Sequence, residues 1–211
     1  MASKNSAKPL ISSQMDIRIT LQSGRYLSSV SEADQSALVR NLHSPDVYNT
    51  TLNIPYPYTD ADAYFWIRKC KEVRERQGAE STFAIRTDDG VLIGVVGAEG
   101  IQPTVQAPTG LQGDSPVQNF RSHRAEIGYW LAPPFWGQGV MTEAVGEYVR
   151  YAFREFSLQK LIAHVFEANL ASARVLEKNG FRLEGSLRSH FIKDGQFLDA
   201  RIYGLLRNKV S

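Results

Sequence analysis

The sequence predicts an α/β fold in which a central, mixed and twisted sheet of about seven strands carries helices on both faces. The first observation is the order of the apolar patterns: strand, two helices, three strands, helix, strand, helix, two strands. The second is the length of 211 residues, which is typical of one domain around one core. We therefore predict a single domain over residues 16–211, preceded by a polar, aperiodic and disordered tail over residues 1–15.

The N-terminal elements are predicted from turn and cap signals. The first strand covers Ile17 to Val30, in two pieces around the turn at Ser23-Gly24. Two helix N-termini are indicated by a hydroxyl residue followed three positions later by aspartate: Ser31 with Asp34, and Thr59 with Asp62. The predicted buried stripes are Ala33, Ala37, Leu38 and Leu42 in the first helix, and Trp66, Cys70 and Val73 in the second.

From Ser81 the pattern changes to strands. STFAIRT and VLIGVVGAEGI flank a DDG turn at residues 88–90, which predicts a β-hairpin, and AEIGYWL predicts a further strand. Residues 102–122 lie between them and contain three prolines. Loops of this length are usually either mobile lids or disordered. We predict a disordered loop insertion, with a lid as the alternative.

The C-terminal elements alternate between helix and strand. Apolar residues from Met141 to Phe156 recur at helical spacing, and LIAHVF reads as a buried strand. A short helix over Asn169 to Lys178 ends at Asn179-Gly180. Two final strands form a hairpin around Asp194-Gly195.

The composition excludes several classes of function. Lys and Arg outnumber Asp and Glu by only 24 to 22, which argues against a nucleic-acid partner. The chain has one cysteine, no signal-peptide pattern and no apolar run of about 20 residues, so we expect a cytoplasmic protein without a membrane partner. The four histidines lack metal-ligand spacing, which predicts no metal. Residues 94–100 lack the spacing of a dinucleotide-binding loop.

The most informative segment is EIGYWLAPPFWGQGVMTEA, which runs from Glu126 to Ala144. It leads from an apolar strand through two prolines into a turn with two glycines, and then into an amphipathic helix that we expect to begin near Thr142. Gly137 and Gly139 lack the Cβ atoms that would keep a ligand from the main chain. A helix N-terminus with unpaired N–H groups binds anions, so this segment predicts a phosphate site.

Together with ANLASARVLEKNGFRLEG and DGQFLDARIYGLL, this segment resembles the GNAT superfamily of acetyltransferases, in the branch of ribosomal-protein N-acetyltransferases (RimJ/RimL-like). The resemblance covers about Ile17 to Arg207, with its motifs in the expected order. It implies a GNAT-like acyl-CoA N-acyltransferase fold that uses acetyl-CoA as co-substrate and requires no metal.

The resemblance also implies which residues hold acetyl-CoA. The amides of the glycine turn would bind its pyrophosphate, the strand before the turn would bind its pantetheine arm, and the NxxS pattern would lie near its thiol. The implied residues are Ile127, Gly128, Tyr129, Trp130 and Leu131 in the strand, Trp136, Gly137, Gln138, Gly139, Val140, Met141 and Thr142 in the turn, and Asn169 and Ser172 in the NxxS pattern.

The chain departs from its relatives at two places. Pro134 stands where the superfamily often has Gln or Arg, which removes one side-chain contact to phosphate. Some relatives have a carboxylate after the LEG turn, where this chain reads SHF with His190 and Phe191. These departures motivate a rival hypothesis, a non-catalytic acyl-CoA-binding sensor.

Acetyl transfer to an amine requires a neutral nucleophile and a proton for the leaving thiolate. Glu126, at the start of the pantetheine strand and on the same pleat face as Gly128 and Trp130, is the candidate base; the alternative is a surface glutamate at a strand end. Ser172 is the candidate proton donor, or else a residue of a helix cap. Tyr56 and Tyr58 could line the acceptor site, or belong to a packed loop.

The scarcity of bases favours acceptors with a low pKa. Deprotonating a lysine-type amine at pH 7.4 costs about 4 kcal/mol, whereas an α-amine costs about 0.5 kcal/mol. We therefore expect an N-acetyltransferase that passes acetyl directly to a primary amine in a ternary complex, with peptide N-termini favoured. A polyamine or another small amine is the alternative acceptor, and the protein is expected to be a monomer or homodimer.

Overall fold

A computed structural model of the chain describes residues 17–101 and 123–209. The predicted tail over residues 1–15 and the predicted insertion over 102–122 lie outside the described residues. Across the described ranges, no helix combines the length and the apolarity that a membrane span requires. In chain order the elements are β1 (Arg18–Thr20), β2 (Tyr26–Ser29), α1 (Gln35–Leu42), α2 (Pro45–Thr50), α3 (Asp60–Gln77), β3 (Thr82–Arg86), β4 (Leu92–Glu99), β5 (Arg124–Leu131), α4 (Val140–Glu155), β6 (Lys160–Phe166), α5 (Leu170–Lys178), β7 (Arg182–Lys193) and β8 (Gln196–Leu206).

The strands form one mixed sheet in the order β1-β2-β3-β4-β5-β6-β8-β7. Neighbouring strands are antiparallel except β5 and β6, which run parallel. The predicted mixed α/β sheet with helices on both faces is thus confirmed. It has eight strands rather than about seven, because the two pieces of the first predicted strand pair with each other as a hairpin.

Each face of the sheet carries its own apolar core. On one face, α4 and α5 pack over buried residues of most strands, including Ile127, Leu161 and Tyr203. On the other face, α1 and α3 pack over β3, β4 and β5, where Trp130 is the largest buried side chain of the strands. The strand residues of this second core lie on β3, β4 and β5, so α1 and α3 leave the same face of β6, β7 and β8 outside their core.

Both predicted helix caps are present. The Thr59 hydroxyl accepts from the amide of Asp62 at 3.3 Å, and the Asp62 carboxylate accepts from the amide of Thr59 at 2.8 Å. The Ser31 amide donates to Asp34 in the same way at 2.8 Å, but there the cap opens a single 3-10 turn that leads into α1. Reciprocal bonds of this kind satisfy amides that a helix start leaves without partners.

Four details of the helices differ from the prediction. Ala33, predicted to be buried in the first helix, is exposed. Three helices precede the β3–β4 hairpin instead of two, because the six-residue α2 starts at a Ser44-Pro45 signal too short to show a period. In α3 the buried residues are Ala63, Ile67 and Cys70; Cys70 was predicted, whereas Trp66 and Val73 are only half-buried. Helix α4 begins at Val140, two residues before the predicted start.

A buried ion pair ties α1 to the sheet. The Arg86 guanidinium donates to both carboxylate oxygens of Asp34, at 2.5 and 2.8 Å, and also to the Ser28 hydroxyl at 2.7 Å. The side chains of Arg86 and Asp34 are 10% and 4% exposed. Because both charges have left water, each depends on the other for its stabilisation.

Removing one partner of this pair should destabilise the fold strongly. We expect Asp34→Ala to lower the free energy of unfolding by about 3 to 5 kcal/mol, because it leaves a buried guanidinium without its carboxylate. The matched control is Glu72→Ala, which breaks the exposed Arg68–Glu72 pair on α3 and should cost less than about 1 kcal/mol. Urea denaturation followed by circular dichroism measures both. Equal losses would mean that the buried pair contributes nothing special.

Candidate active site

The glycine turn between β5 and α4 has a backbone that only glycine adopts readily. Gly137 and Gly139 have φ angles of 72° and 80°, in the left-handed region. A Cβ added at either position would meet no heavy atom within 4 Å, so the backbone conformation and not crowding requires glycine. The space above the turn is therefore open to a ligand. The Trp136 indole fixes the start of the turn by donating to the carbonyl of Leu131 at 2.6 Å.

The amides of this turn form a continuous set of donors. Within residues 17–101 and 123–209, none of the backbone amides from Gly137 to Thr142 donates to a protein acceptor; the first helical bond of α4 starts at Glu143. Gly139 is the N-cap and has no side chain to satisfy them. Free amides at the positive end of a 16-residue helix suit an anion with several oxygens, such as a pyrophosphate.

Strands β5 and β6 part immediately below this turn. Their parallel pairing consists of Arg124 with Lys160, Ala125 with Leu161, and Glu126 with Ile162, and it ends there. The other edge of β5 stays paired with β4 from Glu126 to Leu131. Residues 127–131 therefore present the backbone groups of one edge to the gap between β5 and β6. An extended, amide-containing ligand can add to such an edge as a strand does.

The first turn of α5 closes the gap on the face covered by α4 and α5. Asn169 caps this helix by accepting from the amide of Ser172 at 3.1 Å. The Tyr129 hydroxyl reaches across from β5 and lies 2.9 Å from the Ser172 hydroxyl and 3.1 Å from its carbonyl oxygen. Burial raises the pKa of Tyr129, so the phenol keeps its proton. Ser172 thus belongs to the cap of α5, which was its alternative role. Its hydroxyl also pairs with that of Tyr129 at the gap.

Glu126 projects from the opposite face of β5. Its Oε1 lies 2.8 Å from Nδ1 of His164 on β6, and the two side chains are 48% and 16% exposed. An ionised carboxylate can only accept, so Nδ1 of His164 is the donor. Glu126, the predicted base, is thus accessible to solvent and hydrogen-bonded to the imidazole of His164. The same face of β5 bears Gly128, which is exposed, and Trp130, which is buried.

Aromatic side chains surround this carboxylate–imidazole pair. The His164 ring stacks on His190, with centroids 5.1 Å apart, and meets the edge of Phe191 at 6.1 Å. His190 is brought there by an irregularity in β7 between Leu187 and Phe191, where Ser189 has a φ of 48°. His164 was missed by sequence reasoning, because its link to Glu126 depends on the parallel register of two strands.

The two tyrosines predicted for the acceptor site have different surroundings. Tyr58 is only 5% exposed and packs into the core under α3, so its ring is part of helix packing. Tyr56 is exposed and contacts the rings of His43 and Tyr48, each with centroids 5.5 Å away. Among the described residues no group of three or more acidic, histidine or cysteine side chains is arranged to hold a metal ion.

A clasp joins α2 to the tip of the β7–β8 hairpin. Lys193 Nζ donates to the carbonyls of Tyr48 and Thr51, at 2.8 and 2.6 Å. The Tyr48 hydroxyl donates to Asp194 at 2.5 Å, and the ammonium of Lys193 lies 3.5 Å from the centre of the Tyr48 ring. Burial lowers the pKa of Lys193. These contacts hold Tyr48, which packs on Tyr56, at the end of the sheet that carries His190 and Phe191.

Comparison with known proteins supports one family. Residues 26–182 match the acetyltransferase (GNAT) domain. Two Bacillus subtilis relatives are the uncharacterized N-acetyltransferase YoaA, 37% identical over 87 residues, and the putative ribosomal N-acetyltransferase YdaF, 35% identical over 88 residues. These matches cover 41% and 42% of this chain, and 49% and 48% of the relatives. The chain thus spans about half the length of the curated relatives it matches.

Solved structures show the same fold at low sequence identity. The ribosomal-protein-S5-alanine acetyltransferase from Vibrio fischeri superimposes with a TM-score of 0.75 at 18% identity, covering 93% of this chain and 100% of that chain. The spermidine N-acetyltransferase from Vibrio cholerae, in complex with CoA and spermine, has a TM-score of 0.69 at 20% identity, covering 90% and 99%. At such identities the likeness concerns the fold alone.

An acidic side chain placed in the glycine turn should weaken anion binding. We expect Gly139→Asp to weaken acetyl-CoA binding at least tenfold, about 1.4 kcal/mol, because it adds a negative charge beside the free amides. The matched control is Gly78→Asp at the end of α3, where φ is 71° and a Cβ also meets nothing within 4 Å. Calorimetry with acetyl-CoA compares the two. If Gly139→Asp folds and binds like Gly78→Asp, the phosphate assignment is wrong.

Proposed function

The chain belongs to the acetyltransferase (GNAT) domain family, and we propose that it transfers an acetyl group from acetyl-CoA to a primary amine, with the α-amine of a peptide N-terminus as the favoured acceptor. The observation that carries this proposal is the parting of β5 and β6 after Glu126. On one face of β5 lie the free amides at the start of α4 and the Tyr129–Ser172 pair. On the other face lies the Glu126 carboxylate.

The chain has suitable groups for each part of acetyl-CoA. The amides from Gly137 to Thr142 would bind the pyrophosphate, and the free edge of residues 127–131 would bind the amides of the pantetheine arm. Trp136 and Gln138 shape the turn, and Asn169, which accepts from the Ser172 amide, would hold Ser172 near the thiol end. Acetyl-CoA supplies a thioester, whose carbonyl carbon accepts the amine. The open space above the glycines is consistent with this fit.

In the proposed reaction Glu126 acts on the acceptor. Its exposed carboxylate takes a proton from the acceptor ammonium, which leaves the neutral amine as the nucleophile. The new C–N bond forms as the C–S bond breaks, without an acetylated residue on the enzyme, and the nitrogen releases its second proton to water as the amide forms. His164 positions Glu126 by donating to one carboxylate oxygen, which leaves the other free to receive the proton.

Ser172 acts on the leaving group in the same scheme. Its hydroxyl donates a proton to the departing thiolate and regains one from solvent, while Tyr129, hydrogen-bonded to it at 2.9 Å, orients the hydroxyl. The two proton transfers therefore occur on opposite faces of β5. The low cost of deprotonating an α-amine suits a site with one exposed carboxylate. The ribosomal name of one relative favours a peptide acceptor in a RimJ/RimL-like role.

Two alternatives have specific support. The spermidine acetyltransferase shares the fold, and the exposed carboxylate of Glu126 beside aromatic rings also suits a polyamine. A non-catalytic acyl-CoA sensor is favoured by Pro134 in the turn and by Phe191 after the LEG segment. Acetyl-CoA turnover, followed by release of free thiol, tests all three with peptides, spermidine and single amino acids. Binding without turnover on any amine would identify a sensor.

The effect of removing the base on the reaction rate should depend on the acceptor amine. We expect Glu126→Gln to lower kcat/KM by 10² or more for a peptide with only a lysine amine, and by less than about tenfold for a matched peptide with only an α-amine. The reason is that α-amines are already partly neutral at pH 7.4. Initial rates on the two peptides give the comparison.

The matched control for this variant is Glu99→Gln on β4. Glu99 lies directly across from Glu126 in the sheet register, but its exposed side chain pairs with Lys69. It should leave both rates unchanged. Full activity of Glu126→Gln on both peptides would remove Glu126 from the mechanism, and His190 would become the candidate base.

The effect of removing the proton donor on the reaction rate should be the same for every acceptor amine. Ser172→Ala should lower kcat by roughly 10² to 10⁴ for every amine, because the thiolate leaves in each reaction. Tyr129→Phe keeps the ring and loses the hydroxyl that touches Ser172, so it should give a smaller loss of the same kind. Single-turnover rates with acetyl-CoA report this step. A Ser172→Ala enzyme with normal rates would reduce Ser172 to a helix residue.

A further inference from the structure

The turn between β1 and β2 packs against the glycine turn from a distant part of the chain. The Ser23 amide donates to the Glu143 carboxylate in the first turn of α4, at 3.2 Å. Arg25 Nη2 donates to Oε1 of Gln138 at 3.2 Å, and its guanidinium carbon lies 5.8 Å from the centre of the Phe135 ring. A guanidinium is thereby held beside the backbone amides of the turn.

The electrostatics of this arrangement are unfavourable without a ligand. Arg25 lies next to the positive end of α4, where a cation is normally disfavoured. Glu143 is the acidic residue in the first turn of α4, and one of its oxygens already accepts from Ser23. Within residues 17–101 and 123–209, Arg25 Nε is buried and has no acceptor. The half-buried guanidinium has one hydrogen bond to protein among the described residues, from Nη2 to Gln138, so it keeps further N–H donors for an anion.

The contacts of Gln138 explain how Arg25 is held in place. Gln138 accepts from Arg25 with one side-chain atom and donates to the carbonyl of Pro134 with the other, at 2.8 Å. The side chain of Pro134 has no hydrogen-bond donor. Residues 133–142 also contain no basic residue. Arg25 is the positively charged side chain that the structure places there.

We propose that Arg25 is a phosphate-binding residue of the acetyl-CoA site, supplied by the β1–β2 turn to complete the cradle of free amides. The inference rests on the proposed function only in taking CoA as the ligand of the turn. A guanidinium offers two parallel N–H donors that match a phosphate, which a lysine ammonium does not. CoA carries a pyrophosphate and a 3′-phosphate, and either group has the chemistry that Arg25 would recognise.

The test is calorimetric binding of CoA and dephospho-CoA, which lacks the 3′-phosphate. Arg25→Gln should weaken CoA binding at least tenfold, and Arg25→Lys should recover part of the loss. A loss for CoA alone assigns the 3′-phosphate, whereas an equal loss for both ligands assigns the pyrophosphate. The matched control is Arg76→Gln, an exposed arginine on α3, which should bind both ligands as the unmodified protein does.

Two further measurements separate binding from an effect on turn structure. The salt dependence of CoA affinity should become shallower in Arg25→Gln, because one charge contact to phosphate is lost. Gln138→Ala removes the holding contact but not the charge, so it should cost less than Arg25→Gln. The proposal is overturned if Arg25→Gln binds CoA within twofold of the unmodified protein, or if it matches Gln138→Ala in affinity and salt slope. Failure of all amines to react would overturn the proposed function and leave this result standing.

Discussion

The candidate site depends on the short parallel pairing between β5 and β6. Three residue pairs hold the strands together, and beyond Glu126 they separate while β5 remains bonded to β4. A sheet normally satisfies the backbone groups of its inner strands, so an inner strand with one free edge is exceptional. The free edge is tolerable where a ligand with amide groups or water takes the place of the missing strand. Both halves of the site are organised around this gap.

Alternation along β5 assigns the two proton transfers to opposite faces. Glu126, Gly128 and Trp130 point to one face, while Ile127 and Tyr129 point to the other. Tyr129 therefore meets Ser172 on the α5 side, and Glu126 meets His164 on the side left uncovered by α1 and α3. In the proposed reaction the amine loses its proton on one face and the thiolate gains one on the other, so the two acid–base groups do not neutralise each other.

Local signals in the sequence predicted those parts of the fold that depend only on residues close together in the chain. The cap at Thr59, the β3–β4 hairpin and the glycine turn were found because a few neighbouring residues determine each of them. Helix α2 was missed because six residues show no period, and the buried stripe of α3 was shifted because Ile67 and Trp66 are both apolar. The buried Asp34–Arg86 pair joins elements 52 residues apart, and no local pattern encodes it.

The candidate site illustrates the same limit on a larger scale. Glu126 and Ser172 could be proposed from sequence because each belongs to a motif, but their partners come from elsewhere. His164 becomes the partner of Glu126 only through the parallel register of β5 and β6, and Arg25 approaches Gln138 only because the β1–β2 turn packs on α4. In both cases a motif residue is held by a side chain more than 30 positions away. Motifs therefore identify the atoms that would touch the ligand, whereas the packing of the sheet and helices determines the charges and hydrogen bonds that hold those atoms in place.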